Sequence, residues 1–291
     1  MYKKRYFFTL ILPTLIIFTI VIVIPTVIGI TYSFTDWKNK ALEGFPNFVG
    51  FENYKKAFET TYTNPQSLTY TIGYTFLFSI ISLITVNVLG FFLAYVLNQK
   101  FLKGKSVFRG LFFIPNLISG IVLGYIWQRI FDQAIPQLFP KFLDGESIRT
   151  SGSLGALFAM VIVYTWQMAG YVMVIYIAAL QNVNQTLVEA AKIEGASKSK
   201  VFRSVVIPSV MPAITIAVFL VFSGSFKMFD LNFAITAEKV GTFLLSYDIY
   251  LTGSTNNLYA VAQAKSVIFI ILVSSISILQ VYITKKWEVQ S

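Results

Sequence analysis

Glu189-Ala190-Ala191-Lys192-Ile193-Glu194-Gly195, nine further residues and then Val205-Val206-Ile207-Pro208 form a polar interruption between two long apolar stretches. From Thr186 the apolar residues Leu187, Val188, Ala190, Ala191 and Ile193 recur at helical spacing, with Glu189 and Lys192 on the other side, which predicts a short amphipathic helix. Gly195 is suited to the left-handed conformation that closes a helix. Lys198, Lys200 and Arg203 then mark a second, basic helix, which Pro208 is expected to limit. Thr186-Leu187-Val188-Glu189 also reads as a capping box, in which the Glu189 carboxylate only closes the helix start. The small side chains of Ala190 and Ala191 favour close approach by another surface.

The flanks of this segment decide the environment. The chain is 56% hydrophobic and 16% aromatic with only 12% charged residues, far from a soluble domain. A membrane span needs about 20 apolar residues. Six stretches qualify, roughly Tyr6 to Ile30, Tyr70 to Leu97, Gly110 to Ile130, Leu154 to Leu180, Pro212 to Phe229 and Ser266 to Ile283. Pro13, Pro25 and Pro115 lie inside apolar runs and predict kinks. The run from Met1 to Ile30 is too long for a secretion signal and lacks a small-residue cleavage site, so it is expected to be an uncleaved first span.

Six spans put both termini on one side. That side gathers Lys3, Lys4 and Arg5, then Lys100, Lys103, Lys105 and Arg109, then Lys192, Lys198, Lys200 and Arg203, and last Lys285 and Lys286. Its acids are Glu189, Glu194 and Glu288, so its net charge is +10, that of the whole chain. By the excess of lysine and arginine this face is cytoplasmic. The cations flank apolar spans, so topology explains them and nucleic-acid binding is not expected.

Several chemistries are excluded. There is no cysteine and no histidine, hence no disulfide, thiolate or imidazole metal site. The central parts of the spans carry no Asp or Glu, and Asp132, Asp230, Arg129 and Lys265 read as lying at span ends, with Lys227 able to snorkel to the interface. Intramembrane acid-base catalysis is therefore not expected. Gly104-Lys105-Ser106 lacks the preceding glycine of a phosphate-binding loop, because position 99 is glutamine. ATP hydrolysis, where it drives this chain, belongs to another subunit.

The segment from Glu189 to Pro208 resembles the EAA loop of permease subunits from ATP-binding-cassette (ABC) importers, whose pattern is Glu-Ala-Ala, three residues, Gly, nine residues, then Ile, any residue, Leu and Pro. Every spacing is kept, with Val205 and Ile207 as conservative departures. Ser33-Phe34-Thr35-Asp36-Trp37, Gly50-Phe51-Glu52-Asn53-Tyr54, Phe112-Phe113-Ile114-Pro115-Asn116, Gly124-Tyr125-Ile126-Trp127 and Ser225-Phe226-Lys227-Met228-Phe229-Asp230 look like the carbohydrate branch of that family. Where the family usually has Gly-Gly-Pro, this chain has Glu238-Lys239-Val240.

The resemblance implies an all-α membrane protein of type I importer fold, one permease domain over 1–291 with six transmembrane helices and a cytoplasmic helix-turn-helix coupling loop over 184–208. It implies a multi-pass protein of the bacterial cytoplasmic membrane, working with a second homologous permease, an extracytoplasmic sugar-binding protein and two ATPase subunits. Those ATPases hold ATP and Mg; this chain needs no cofactor, metal or catalytic residue of its own. Glu189, Ala190, Ala191, Gly195 and Pro208 then couple to the ATPase. On span 4, Tyr164, Gln167 and Tyr171 share one helical face, and the family match adds Met168. On span 5 the match gives Val221, Ser225 and Met228. Tyr164 and Tyr171 are expected to stack on a sugar, with Gln167 and Ser225 hydrogen-bonding to it. Alternatives are import of glycerol phosphate or a polyol derivative, and a non-transporting membrane anchor or receptor, which leaves the Glu-Ala-Ala spacing unexplained.

Overall fold

A computed structural model describes residues 2–37, 46–59, 67–99, 102–141, 145–236 and 241–285. Lys100, Lys286, Glu288 and Glu238-Lys239-Val240 lie outside the described residues. The helices in chain order are α1 (Tyr2–Phe18), α2 (Ile24–Tyr32), α3 (Glu52–Phe58), α4 (Leu68–Asn98), α5 (Lys105–Leu117), α6 (Gly120–Arg129), α7 (Ile135–Leu138) and α8 (Ser153–Gln181). They continue with α9 (Gln185–Ile193), α10 (Lys198–Val201), α11 (Ile207–Phe226), α12 (Asp230–Thr236), α13 (Leu245–Tyr250) and α14 (Tyr259–Lys285). The fold is all-α: among the described residues the extended pairing is one isolated bridge between Thr35 and Phe48.

Five helical runs are long and apolar enough to cross a membrane: Ile11–Tyr32, Leu68–Asn98, Ser153–Gln181, Lys198–Phe226 and Tyr259–Thr284. A bent pair, Lys105–Leu117 and Gly120–Leu138, whose halves meet at 97°, has the length and composition of a broken sixth span or a re-entrant loop. The sequence reads as one span from Gly110 to Ile130. The structure instead breaks it at Ile118 and Ser119, which are extended, just after Pro115.

Prolines shape three other runs in one way. The π turns Thr19–Val23, Ile130–Ala134 and Phe202–Val206 are each followed, two residues on, by Pro25, Pro136 and Pro208. Proline has no N–H, and its ring crowds the carbonyl four residues back. Here the residue before each proline donates to the carbonyl five back, Ile24 to Thr19, Ile135 to Ile130 and Ile207 to Phe202. The widened turn carries the helix past the proline. Pro208 therefore does not end the second helix of the polar segment, as the sequence suggests. That helix runs on into the span that the sequence starts only at Pro212.

The chain divides into two compact units, 1–69 with 248–271 and 70–247 with 272–291. In the first, the buried Asn53 donates from Nδ2 to the carbonyls of Ser33 (2.9 Å) and Thr35 (2.7 Å), fixing α3 against the end of α2. Lys265, read from sequence as a span-end cation, has a fully buried side chain: its Nζ lies 2.8 Å from Asp248 Oδ2 and 2.9 Å from Thr252 Oγ1. Burial pushes the Asp248 carboxyl above its ordinary value, and Lys265 works against that rise. No residue of the Ile11–Tyr32 span's most apolar window is buried, as suits a helix that meets lipid or another chain.

The second unit is built on α8, which is buried along much of its length. Close approach needs small residues: a Cβ on Gly170 of α8 would stand 1.8 Å from the Phe112 carbonyl oxygen of α5. Hydroxyls and amides join the apolar faces. Thr85 and Thr165 meet at 2.7 Å, and Tyr176 donates to Asn87 Oδ1 at 2.6 Å, both between α4 and α8. Asp132 pairs with Arg149, whose Nε donates at 2.7 Å and which also reaches the Ile235 carbonyl. Buried Asn232 holds the segment after α12 by donating to the Thr242 carbonyl (2.8 Å) and accepting from Leu244 N–H (2.7 Å).

Candidate functional site

Two sites share the helical run from Lys198 to Phe226. At its start lies the helix-turn-helix. Asn184 caps α9, its Oδ1 accepting from Thr186 N–H (3.0 Å) and Thr186 Oγ1 (2.6 Å). The capping box expected over Thr186–Glu189 is therefore absent, because the helix begins earlier and Glu189 sits inside it, exposed. The helix closes by a Schellman motif: Ala196 N–H bonds the Ala191 carbonyl and Gly195 N–H the Lys192 carbonyl, both at 3.0 Å. Gly195 has φ +79°, and nothing lies within 4 Å of where a Cβ would project. Glycine is required there by backbone conformation, not by crowding. Ser197 caps the second helix by accepting from Lys200 N–H at 3.3 Å.

A groove of about 860 Å3 runs beside this turn, lined by Leu187, Ala190, Ala191, Glu194 and Pro208 among others. Three of the five expected coupling residues, Ala190, Ala191 and Pro208, line it, while Glu189 and Gly195 do not. The exposed cations Lys192, Lys198, Lys200 and Arg203 lie on the same helix-turn-helix, and Ile193 at the turn is 87% exposed. An apolar side chain so exposed beside a lined groove suits a protein contact.

At the other end of the run lies a cavity of about 310 Å3. Tyr164, Gln167 and Met168 enter it from the middle of α8, Asn116 and Gly120 from the two sides of the α5–α6 break, and Gly224 and Lys227 to Asp230 from the end of α11 and the start of α12. The break frees the Ile118 carbonyl from the helix ladder, and Gln167 Nε2 donates to it at 3.2 Å. Asn116 Nδ2 reaches Met168 Sδ at 3.4 Å. Gly120 permits close approach, since a Cβ there would be 2.7 Å from Asp230 Cβ. A discontinuous helix with polar groups at mid-span is how membrane transporters expose backbone and amides to cargo.

Of the seven residues expected to line a sugar site, the structure brings Tyr164, Gln167, Met168 and Met228 to this wall. Tyr164 is almost fully buried and donates to the Val221 carbonyl at 3.2 Å. Val221 and Ser225 are fully buried, and Ser225 Oγ is turned back on the Phe222 carbonyl (2.8 Å). Tyr171 is half-buried beside Phe113 and does not line the cavity. Sequence reasoning did not place Asn116 or Asp230 at the cavity. The Phe112–Asn116 block and the helix end after Phe226 were the available signals, but only the break at Ile118–Ser119 brings them together. Among the described residues no group of three His, Cys, Asp or Glu gathers as a metal site.

The model of a family described as binding-protein-dependent transport system inner membrane component matches residues 86–289. The chain belongs to this family. It is 38% identical, over 98% of its length and 96% of the relative's, to a probable starch degradation products transport system permease protein of Thermoanaerobacterium thermosulfurigenes. A multiple sugar-binding transport system permease protein of Streptococcus mutans is 30% identical over 99% of this permease and 98% of its own length. In fold the permease matches a chain of a bacterial ABC transporter involved in the import of the acidic polysaccharide alginate, with TM-score 0.78, 18% identity and coverage of 98% of this chain and 96% of that one.

Proposed function

We propose that this permease is the membrane-spanning subunit of an ATP-driven importer that passes a sugar or oligosaccharide, delivered by an extracytoplasmic binding protein, across the bacterial cytoplasmic membrane. It pairs with a second, similar permease and two ATPase subunits, which supply ATP and Mg, and both of its termini are cytoplasmic. The observation that carries this reading is one continuous helical run. The 29 residues Lys198–Phe226 extend from the exposed turn to the cavity, about 44 Å at roughly 1.5 Å per residue. A push on the turn by an ATPase is transmitted along a stiff rod to Gly224 and the residues that follow it on the cavity wall.

Amide and aromatic groups in the cavity suit a sugar, whose hydroxyls need hydrogen-bond partners and whose ring carbons pack on aromatic faces. The sugar names of the relatives support the cargo class. The test is uptake of labelled starch-derived and other neutral oligosaccharides into proteoliposomes that hold the whole complex with its binding protein. Uptake is expected only with ATP and the binding protein together. Uptake without ATP, or none for any sugar that the binding protein holds, contradicts the reading.

A further inference from the structure

The cavity wall carries two opposite charges that no part of the reading has used. Lys227 and Asp230 both line it, and neither makes a hydrogen bond or ion pair with another described side chain. Lys227 is exposed and Asp230 half-buried. Asp230 is the first residue of α12 and stands against Gly120, the first residue of α6, whose N-terminus favours the anion. Gln167 and Asn116 each commit one amide N–H to a protein acceptor, which leaves a second N–H and the carbonyl oxygen of each for a ligand. The wall thus offers a carboxylate, two amide groups and one ammonium beside the rings of Tyr164 and Phe229.

We propose that Asp230 is a specificity-determining residue of this cavity, whose carboxylate accepts from neighbouring hydroxyls of a neutral sugar and, by its charge, rejects uronates and phosphorylated sugars. The proposal rests on the cavity being the sugar path. A carboxylate has lone pairs for two hydroxyls at once, and Lys227 can donate to a sugar oxygen. An anionic sugar seated with its charged group at Asp230 meets a like charge, and the carboxylate has no proton to take from that group. The volume, about 310 Å3, is at the small end of the range of about 300 to 1,000 Å3 for small-molecule sites, so one or two rings fit at a time. The alginate transporter of the same fold handles an acidic polysaccharide. Cargo charge is therefore not set by the fold.

The experiment bypasses the binding protein, which filters sugars before they arrive. Saturation-transfer NMR on the detergent-purified complex compares methyl α-glucoside with methyl α-glucuronide, which differ only in the carboxylate at C6. The native complex should transfer to the glucoside and weakly to the glucuronide, and Asp230→Asn should shift that ratio about tenfold toward the glucuronide. Lys227→Gln, at an exposed position, should shift it the other way, and it reads out even where Asp230→Asn fails to assemble. Equal transfer to both probes, or ratios unmoved by these variants in an assembled complex, overturns the charge filter and leaves the sugar path standing. No transfer to either probe from the native complex contradicts the sugar path itself and the filter with it.

Discussion

Gly195 and Glu189 make separable predictions at the turn. With φ at +79° and open space around it, Gly195 tolerates a side chain sterically but not conformationally, at a cost of about 1 kcal/mol or more that misaims both helices. Gly195→Val is expected to insert and fold, with loss of ATPase stimulation; measured stimulation equal to native removes the turn from the coupling path. Asn184, not Glu189, caps α9. Because Glu189 is exposed inside the helix, Glu189→Gln should leave the stability of the isolated chain within about 0.5 kcal/mol. Its binding to the ATPase should weaken by about 1 to 3 kcal/mol if a cation meets the carboxylate there. Titration of the ATPase subunit against the two permeases decides this, and equal affinities refute an ionic contact.

Between elements, the prolines and the buried lysine make stability claims. Removing one partner of the Lys265–Asp248 pair leaves a buried charge uncompensated, which costs about 3 to 5 kcal/mol. Lys265→Met should therefore be strongly destabilised and Lys265→Met with Asp248→Asn much less so, as read by thermal melts in detergent. Equal losses in the single and double variants mean that the charge is not the cause. Pro208→Ala removes the reason for the π turn at Phe202–Val206 and lets the run return to α geometry, which rotates the basic turn against the span. Unchanged or higher thermal stability with reduced coupling is expected. A melting temperature that falls by many degrees shows instead that Pro208 stabilises the run by packing.

Across the whole molecule, the parts readable from sequence were those set by local rules. The turn was legible because helical periodicity, a glycine and fixed spacing coincide between Glu189 and Pro208. Apolar length marked the spans. Their breaks were less readable, since Pro115 gave the place but not the 97° angle, which depends on Ile118 and Ser119 being extended. Lys265 looked like an interfacial cation because its partner Asp248 lies on a different helix, and no sequence period links them. Reading by helical spacing picked Tyr164 and Gln167, and by family resemblance Met168 and Met228, all of which line the cavity. It could not show that Ser225 bonds its own helix, nor that Asn116 and Asp230 join the same wall, because those are properties of the break.

The turn and the cavity, joined by the one helical run Lys198–Phe226, are expected to move together. The chain has no cysteine, so Met228→Cys introduces its only thiol, on the cavity wall. The rate of maleimide modification at that thiol, in the assembled complex with its binding protein, measures how open the cavity is. The account predicts a rate that changes with ATP when the turn is native and stays constant when Gly195→Val is added. A rate indifferent to ATP while hydrolysis proceeds, or an ATP-driven change that survives Gly195→Val, contradicts it.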